Sequence, residues 1–297
     1  MTTVTAQDIA ALVTTRVQHP ERIAELAAAR TQPTGLVGST GRLLLVAADH
    51  PARGALRAGD DPLAMGDRPE LLARMVRALE RPGVDGVLGT ADIIEDLLLL
   101  GALEGKVVIG SMNRGGLAGT VFEIDDRFTG FDASAIAGAG YQGGKMLFRI
   151  DPNDPATPAT MQACADATGE LASHRLMSMV EPFISGRDES GRMRNDLTIE
   201  AVIRSATVAA GLAPTSAYTW LKLPVVEDME AVLAASTLPV VLLGGEVSSD
   251  QDAQFAAWSK ALTSPTVRGM VVGRSLLFPP GGDVEAAVDA TVEMMTA

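Results

Sequence analysis

Two short apolar stretches each enclose a lysine: Tyr218-Thr-Trp-Leu-Lys222-Leu-Pro224 and Gly143-Gly-Lys145-Met-Leu-Phe-Arg149-Ile150. Burying an ammonium costs much of its hydration, so lysines inside apolar runs call for a reason. One reason is snorkelling, with the amine at a strand end in water. The other is chemistry. A desolvated lysine beside a second cation is the setting in which a free amine becomes available, and a free amine attacks carbonyls to form a Schiff base. Having two such lysines in one domain favours the second reading.

Side-chain alternation assigns faces to these residues. Lys145, Leu147 and Arg149 share one face, and the apolar Met146, Phe148 and Ile150 share the other. Tyr218, Trp220 and Lys222 form a second such set, and Met177, Met179 and Glu181 a third. Glu181 near two lysines would offset their charge and move protons, or act as a structural ion-pair partner. Asp49, in Ala48-Asp49-His50-Pro51, ends another apolar run and reads as catalytic or as a cap for the next loop. Ser111-Met-Asn-Arg114-Gly-Gly116 offers a cation and flexible backbone to an anion, or serves the turn alone.

These residues must be held by a larger frame. From residue 42 the chain alternates apolar runs with helical patterns eight times. The runs lie at 43–49, 84–89, 106–112, 142–150, 175–181, 216–223, 238–243 and 267–272. Runs without strict alternation are what strands buried on both faces look like. Regular strand–helix alternation implies parallel strands with right-handed crossovers. Eight units in 297 residues predict a single α/β domain, a (β/α)8 TIM barrel over 42–297. A doubly wound open sheet is the competitor, weakened because no G-x-G-x-x-G follows an early strand. Residues 1–41 read as an N-terminal helical extension closing the bottom of the core. Thr5 and Asp8 form its first helix start, and a second helix begins near Pro20-Glu21. The loops at 50–68, 113–131 and 182–197 are long and follow strands, on the face where such barrels carry their sites. The seventh and eighth strands end in Gly244-Gly245 and Gly273-Arg274, which together make a candidate phosphate cradle. Ser248 is available to cap the helix that follows the seventh strand.

Composition narrows the function. The 47% hydrophobic content supports a large core, and only 4% is aromatic, so that core is aliphatic. A net charge of −13 argues against nucleic acid, which needs a basic face. No stretch approaches the roughly 20 apolar residues of a membrane span. Cys164 is the lone cysteine, which rules out a disulfide framework and, with no apolar leader, points to the cytoplasm. His19, His50 and His174 are scattered, without metal-ligand spacing, so no metal or other cofactor is expected. There is no G-x-S-x-G elbow.

Taken in order, Ala48-Asp49-His50-Pro51, Gly144-Lys145-Met-Leu147, Glu181-Pro182, Leu221-Lys222-Leu-Pro224, Gly244-Gly245 and Gly273-Arg274 resemble the class I aldolases of the DeoC/LacD superfamily. The resemblance spans residues 43–280. It implies a lyase of carbohydrate metabolism acting on a phosphorylated keto-sugar or keto-sugar acid. Distant relatives beside inositol-catabolism enzymes make 2-deoxy-5-keto-gluconate 6-phosphate a candidate. It also implies that Lys222 forms the Schiff base, with Lys145, Asp49 and Glu181 as the other catalytic groups. Gly244, Gly245, Gly273 and Arg274 would bind the phosphate, with Arg114 and Arg149 as further substrate contacts. The loops after the first, third and fifth strands match no familiar member, which leaves the substrate open. Two other readings stay open: a thiolase-like acyl transferase on the same barrel, and a non-catalytic sugar-phosphate-binding barrel. The expected partners are the phosphorylated sugar and further copies of the chain.

Overall fold

A computed structural model describes residues 3–38, 40–245, 247 and 250–296. Its strands are β1 (Leu43–Ala47), β2 (Gly86–Gly89), β3 (Val107–Ser111), β4 (Gly143–Ile150), β5 (Met177–Arg187), β6 (Met193–Asn195), β7 (Thr219–Leu223), β8 (Val240–Leu243) and β9 (Val267–Val272). The helices are α1 (Ala6–Gln18), α2 (Arg22–Ala29), α3 (Arg68–Glu80), α4 (Ala91–Leu99), α5 (Ala133–Gly138), α6 (Thr157–Ser173), α7 (Ile199–Ala210), α8 (Met229–Leu233), α9 (Gln251–Leu262), α10 (Arg274–Leu277) and α11 (Val284–Thr296).

Eight strands pair in the order β4-β3-β2-β1-β9-β8-β7-β5, and β4 pairs with β5 to close the ring. Every pairing within the ring is parallel. This is the (β/α)8 barrel that the alternation predicts.

The apolar runs form strands because both their faces are buried. In β1, Leu43, Leu45 and Ala47 point into the barrel, and Leu44 and Val46 pack under the helices. In β4, Met146, Phe148 and Ile150 belong to the outer layer, so Lys145, Leu147 and Arg149 take the inner face. The inner core is aliphatic at the bottom, with Val107, Ile109, Met177, Met179, Val241 and Val271. Polar side chains replace it toward the C-terminal ends of the strands.

Three expectations change. The helices α1 and α2 do not close the bottom of the barrel; they lie against α4, where Arg16 pairs with Asp96 at 2.8 Å. The segment after α2 does the closing. Arg30 donates to the carbonyls of Lys106 (2.8 Å) and Gly140 (2.9 Å), beneath β3 and β4, and Leu36 packs on the inner core. Secondly, 182–197 is not all loop. β5 runs on to Arg187 and pairs antiparallel with β6, around a turn organised by Asp188. Its apolar signal fades because the tip is exposed and polar. Thirdly, α9 starts at Gln251 and is capped by Asp250, which accepts from the Ala253 amide at 2.9 Å. Ser248 lies outside the described residues.

Candidate active site

Parity, and the point at which each strand ends, decide which side chains meet above the inner core. Asp49 follows β1 on the inward phase of Leu43, Leu45 and Ala47. Ser111 extends the phase of Ile109, Glu181 that of Met179, and Lys222 that of Trp220. Lys145 stands opposite Ser111 and Met179 in register. All five side chains are buried.

They form one connected charge cluster. Lys222 Nζ donates to Glu181 Oε1 at 2.8 Å, and Lys145 Nζ pairs with the other oxygen of the same carboxylate. Lys145 Nζ also donates to Asp49 Oδ2 at 3.1 Å. Arg114, from the loop after β3, donates through Nη2 to Asp49 Oδ2 and through Nε to Ser111 Oγ at 2.7 Å. Two carboxylates therefore face two amines and a guanidinium, without bulk water.

The electrostatics follow. Burial alone would raise the Asp49 carboxyl, but Arg114, Lys145, His50 and Lys222 outweigh it and hold it well below the usual range. Glu181 feels the same contest: burial raises it, and Lys145 and Lys222 bring it down to about 2. Burial lowers Lys145, opposed by Asp49 and Glu181 and aided by Lys222 and Arg114. Burial pushes His50 down to about 3; Asp49 opposes this, and Arg274, Lys222 and Lys145 add to it. The ring is 29% exposed, and the neutral imidazole is its favoured form.

The remaining predicted residues divide. Arg149 points inward, yet its guanidinium is held by the Glu123 carboxylate and by the Glu123 carbonyl at 3.0 Å. It tethers the loop after β3. Arg114 is likewise committed to Asp49. Gly244, Gly245, Gly273 and Arg274 sit together where β8 and β9 end. A Cβ on Gly244 would meet Val272 Cγ1 at 2.5 Å, and one on Gly273 would collide with the Ala47 carbonyl, so both glycines are required by strand contact. Gly245, at φ +68°, is exposed and open to a ligand. Arg274 begins α10, close enough to His50 to act on its charge.

Sequence reasoning missed the frame of the loop at 113–131. Arg53 donates to the Gly116 carbonyl (2.6 Å) and the Asn113 carbonyl (2.9 Å), and pairs with Asp126 at 2.6 Å. The Asn113 amide donates to the Leu147 carbonyl at 2.5 Å, and its oxygen accepts from the Leu147 amide at 2.9 Å. It thus continues the β3–β4 ladder past the end of β3 and fixes the strand that carries Lys145. Only the glycines and the arginine of this loop stood out in the sequence.

Two open clefts lie elsewhere. One of about 200 Å³ separates α9 from α11, and another of about 290 Å³ lies beside Val225 and Lys260. Their linings are mainly apolar, with Asp283 the charged residue of the first and Glu227 and Lys260 those of the second, and neither includes a residue of the buried cluster. Among the described residues, no group of three His, Cys, Asp or Glu side chains converges in the manner of a metal site.

The crystal structure of Cgl0159 from Corynebacterium glutamicum is 50% identical, covers 98% of each chain and superposes with a TM-score of 0.95. A Schiff-base-forming fructose-1,6-bisphosphate aldolase is 19% identical, over 92% of this chain and 99% of its own, with a TM-score of 0.63. An archaeal fructose-1,6-bisphosphate aldolase, solved with its catalytic lysine bound to a carbinolamine intermediate, is 18% identical over 93% of this chain and 100% of its own, with a TM-score of 0.64. At those identities the likeness to the two aldolases is one of fold. No curated protein matches the chain. The Cgl0159-like family model matches residues 41–292, and the chain belongs to that family.

Proposed function

We propose that the protein is a class I aldolase that cleaves a phosphorylated keto-sugar through a Schiff base on Lys222. The observation that carries this reading is the single buried carboxylate of Glu181 holding both Lys222 and Lys145 inside the barrel. An ion pair built only for stability gains little from such burial, since apolar replacements serve a core as well. An amine held beside a carboxylate that accepts its proton, and beside a cation that attracts the substrate oxygen, is suited to carbonyl attack.

In the proposed sequence the substrate carbonyl displaces Lys222 from Glu181. The amine adds to the carbonyl carbon, and Glu181 takes the amine proton and returns it to the carbinolamine hydroxyl, which leaves as water. Lys145 holds a substrate oxygen. The resulting iminium accepts the electron pair released when the carbon–carbon bond breaks. Gly244, Gly245, Gly273 and Arg274 hold the phosphate at the rim. Asp49, tied to Arg114 and Lys145, positions Lys145. Arg114 and Arg149 serve the substrate indirectly, by setting Asp49 and the loop at 113–131.

Borohydride trapping tests the proposal, with dihydroxyacetone phosphate and a panel of ketose and keto-acid phosphates as probes. Mass spectrometry should find the reduced adduct on Lys222. Lys222→Ala should give no adduct and no turnover, whereas Lys145→Met should still label Lys222 while turning over more slowly. An adduct on Lys145 in the wild type would reverse the roles. Saturable binding of the probes without any adduct would leave a non-catalytic sugar-phosphate barrel. Coenzyme A-dependent products would indicate acyl transfer.

A further inference from the structure

The proposed reaction, on which this inference rests, still needs a group to take the hydroxyl proton when the carbon–carbon bond breaks. The two carboxylates are poorly placed for it. Asp49 Oδ2 already accepts from Arg114, Lys145 and Ser111, and Glu181 keeps Lys145 on one oxygen after Lys222 has left the other. Their side chains are only 2% and 10% exposed. His50 differs on both counts. Its side chain is 29% exposed, at the end of β1 where the barrel opens. Its buried Nδ1 has no hydrogen-bond partner, and it lies 3.6 Å from Asp49 Oδ1, the oxygen to which Arg114, Lys145 and Ser111 do not donate.

We infer that His50 is the proton carrier of the cleavage step, acting as an Asp49–His50 dyad above Lys222. An Nδ1–H tautomer faces Asp49 Oδ1 and leaves the Nε2 lone pair as acceptor. The 3.6 Å separation is long for a hydrogen bond, as catalytic contacts often are before substrate tightens them. The charged groups that act on the ring are Asp49, Arg274, Lys222 and Lys145. Burial first, then Arg274, Lys222 and Lys145 against Asp49, favour the neutral imidazole and make its protonated form a ready acid.

The electron count closes. Nε2 takes the proton of the hydroxyl β to the iminium, and the O–H pair becomes the second bond of the departing aldehyde. The carbon–carbon pair becomes the C=C bond of an enamine on Lys222, and the C=N π pair moves to its nitrogen. The imidazolium then gives the same proton to the enamine carbon. This regenerates an iminium, which water hydrolyses to the ketone product and free Lys222.

Dihydroxyacetone phosphate in D2O isolates this half-reaction, because enamine formation and reprotonation exchange its α-hydrogen without any cleavage. His50→Gln should form the borohydride adduct within about threefold of wild type and exchange at least 10²-fold more slowly, the low end for a lost acid–base group. Added imidazole should restore exchange in His50→Ala, a rescue that a merely structural histidine would not show. Undiminished exchange in His50→Gln, or a parallel loss of adduct and exchange that imidazole does not restore, would overturn the assignment. A wild type that forms no adduct with any probe would instead sink the aldolase reading itself.

Discussion

Glu181→Gln tests the charge cluster without recourse to activity. The native carboxyl sits near 2, against an ordinary 4.5, because Lys145 and Lys222 outweigh its burial. A depressed carboxyl contributes stability above its unfolded pKa and loses it as pH falls toward the folded one. A shift of that size corresponds to roughly 3 kcal/mol at pH 7, of which about 2 kcal/mol is gone by pH 3. A second route gives a similar figure. Breaking a buried pair by removing one partner costs about 3–5 kcal/mol, because the other charge is left without compensation. Here two amines are left facing each other. In urea unfolding the variant should fall about 3 kcal/mol below wild type at pH 7 and about 1 kcal/mol below it at pH 3. Asp49 titrates in both proteins and cancels to first order. A gap under about 1 kcal/mol at pH 7, or one equally wide at both pH values, would refute the claim that this carboxylate neutralises both lysines.

Arg274→Ala should weaken phosphorylated probes about 10–100-fold more than unphosphorylated ones, from the roughly 1.5–3 kcal/mol of a charge-assisted hydrogen bond; isothermal titration reads the difference, and equal losses would move the phosphate elsewhere. Arg149→Met leaves Glu123 buried without its cation, so unfolding should come about 3 kcal/mol earlier and limited proteolysis should begin within 113–131. Cleavage outside that loop would mean that Arg149 is not its tether. Exhaustive chelation should leave borohydride labelling of Lys222 unchanged, since the iminium is the electron sink; labelling lost to EDTA and restored by a divalent ion would contradict the mechanism.

The direction of the inner side chains was legible because it is a local property. Alternation along β4 places Lys145 and Arg149 on the face opposite Met146, Phe148 and Ile150, and the six consecutive residues 145–150 carry that signal. The eight-fold alternation is local in the same way, repeated until only a few topologies fit. The hairpin of β5 and β6 escaped because its strands bury one side of a short ladder at an exposed tip, so no apolar run marks it. The four residues of α10 and the cap of α9 are likewise decided by where β9 and β8 stop.

What each inward charge meets is decided by closure of the barrel, and the sequence holds no local trace of it. Arg149 and Arg114 look alike on paper, as arginines beside apolar runs. One is consumed by Glu123, 26 residues away, and the other by Asp49, 65 residues away. Lys145 reaches Asp49 across 96 residues, and Lys222 reaches Glu181 across 41. Each of these charges is costly until its partner arrives, so the cluster forms only when β1, β4, β5 and β7 are in register together. This also explains why two arginines expected to bind substrate hold other protein groups. An unpaired buried guanidinium would destabilise the free protein, whereas Arg274, where β9 ends, is partly exposed. Depth in the barrel therefore separates the two roles. Charges below the strand ends hold Lys222 and Lys145 in place, and in the proposed reaction the substrate phosphate meets the rim.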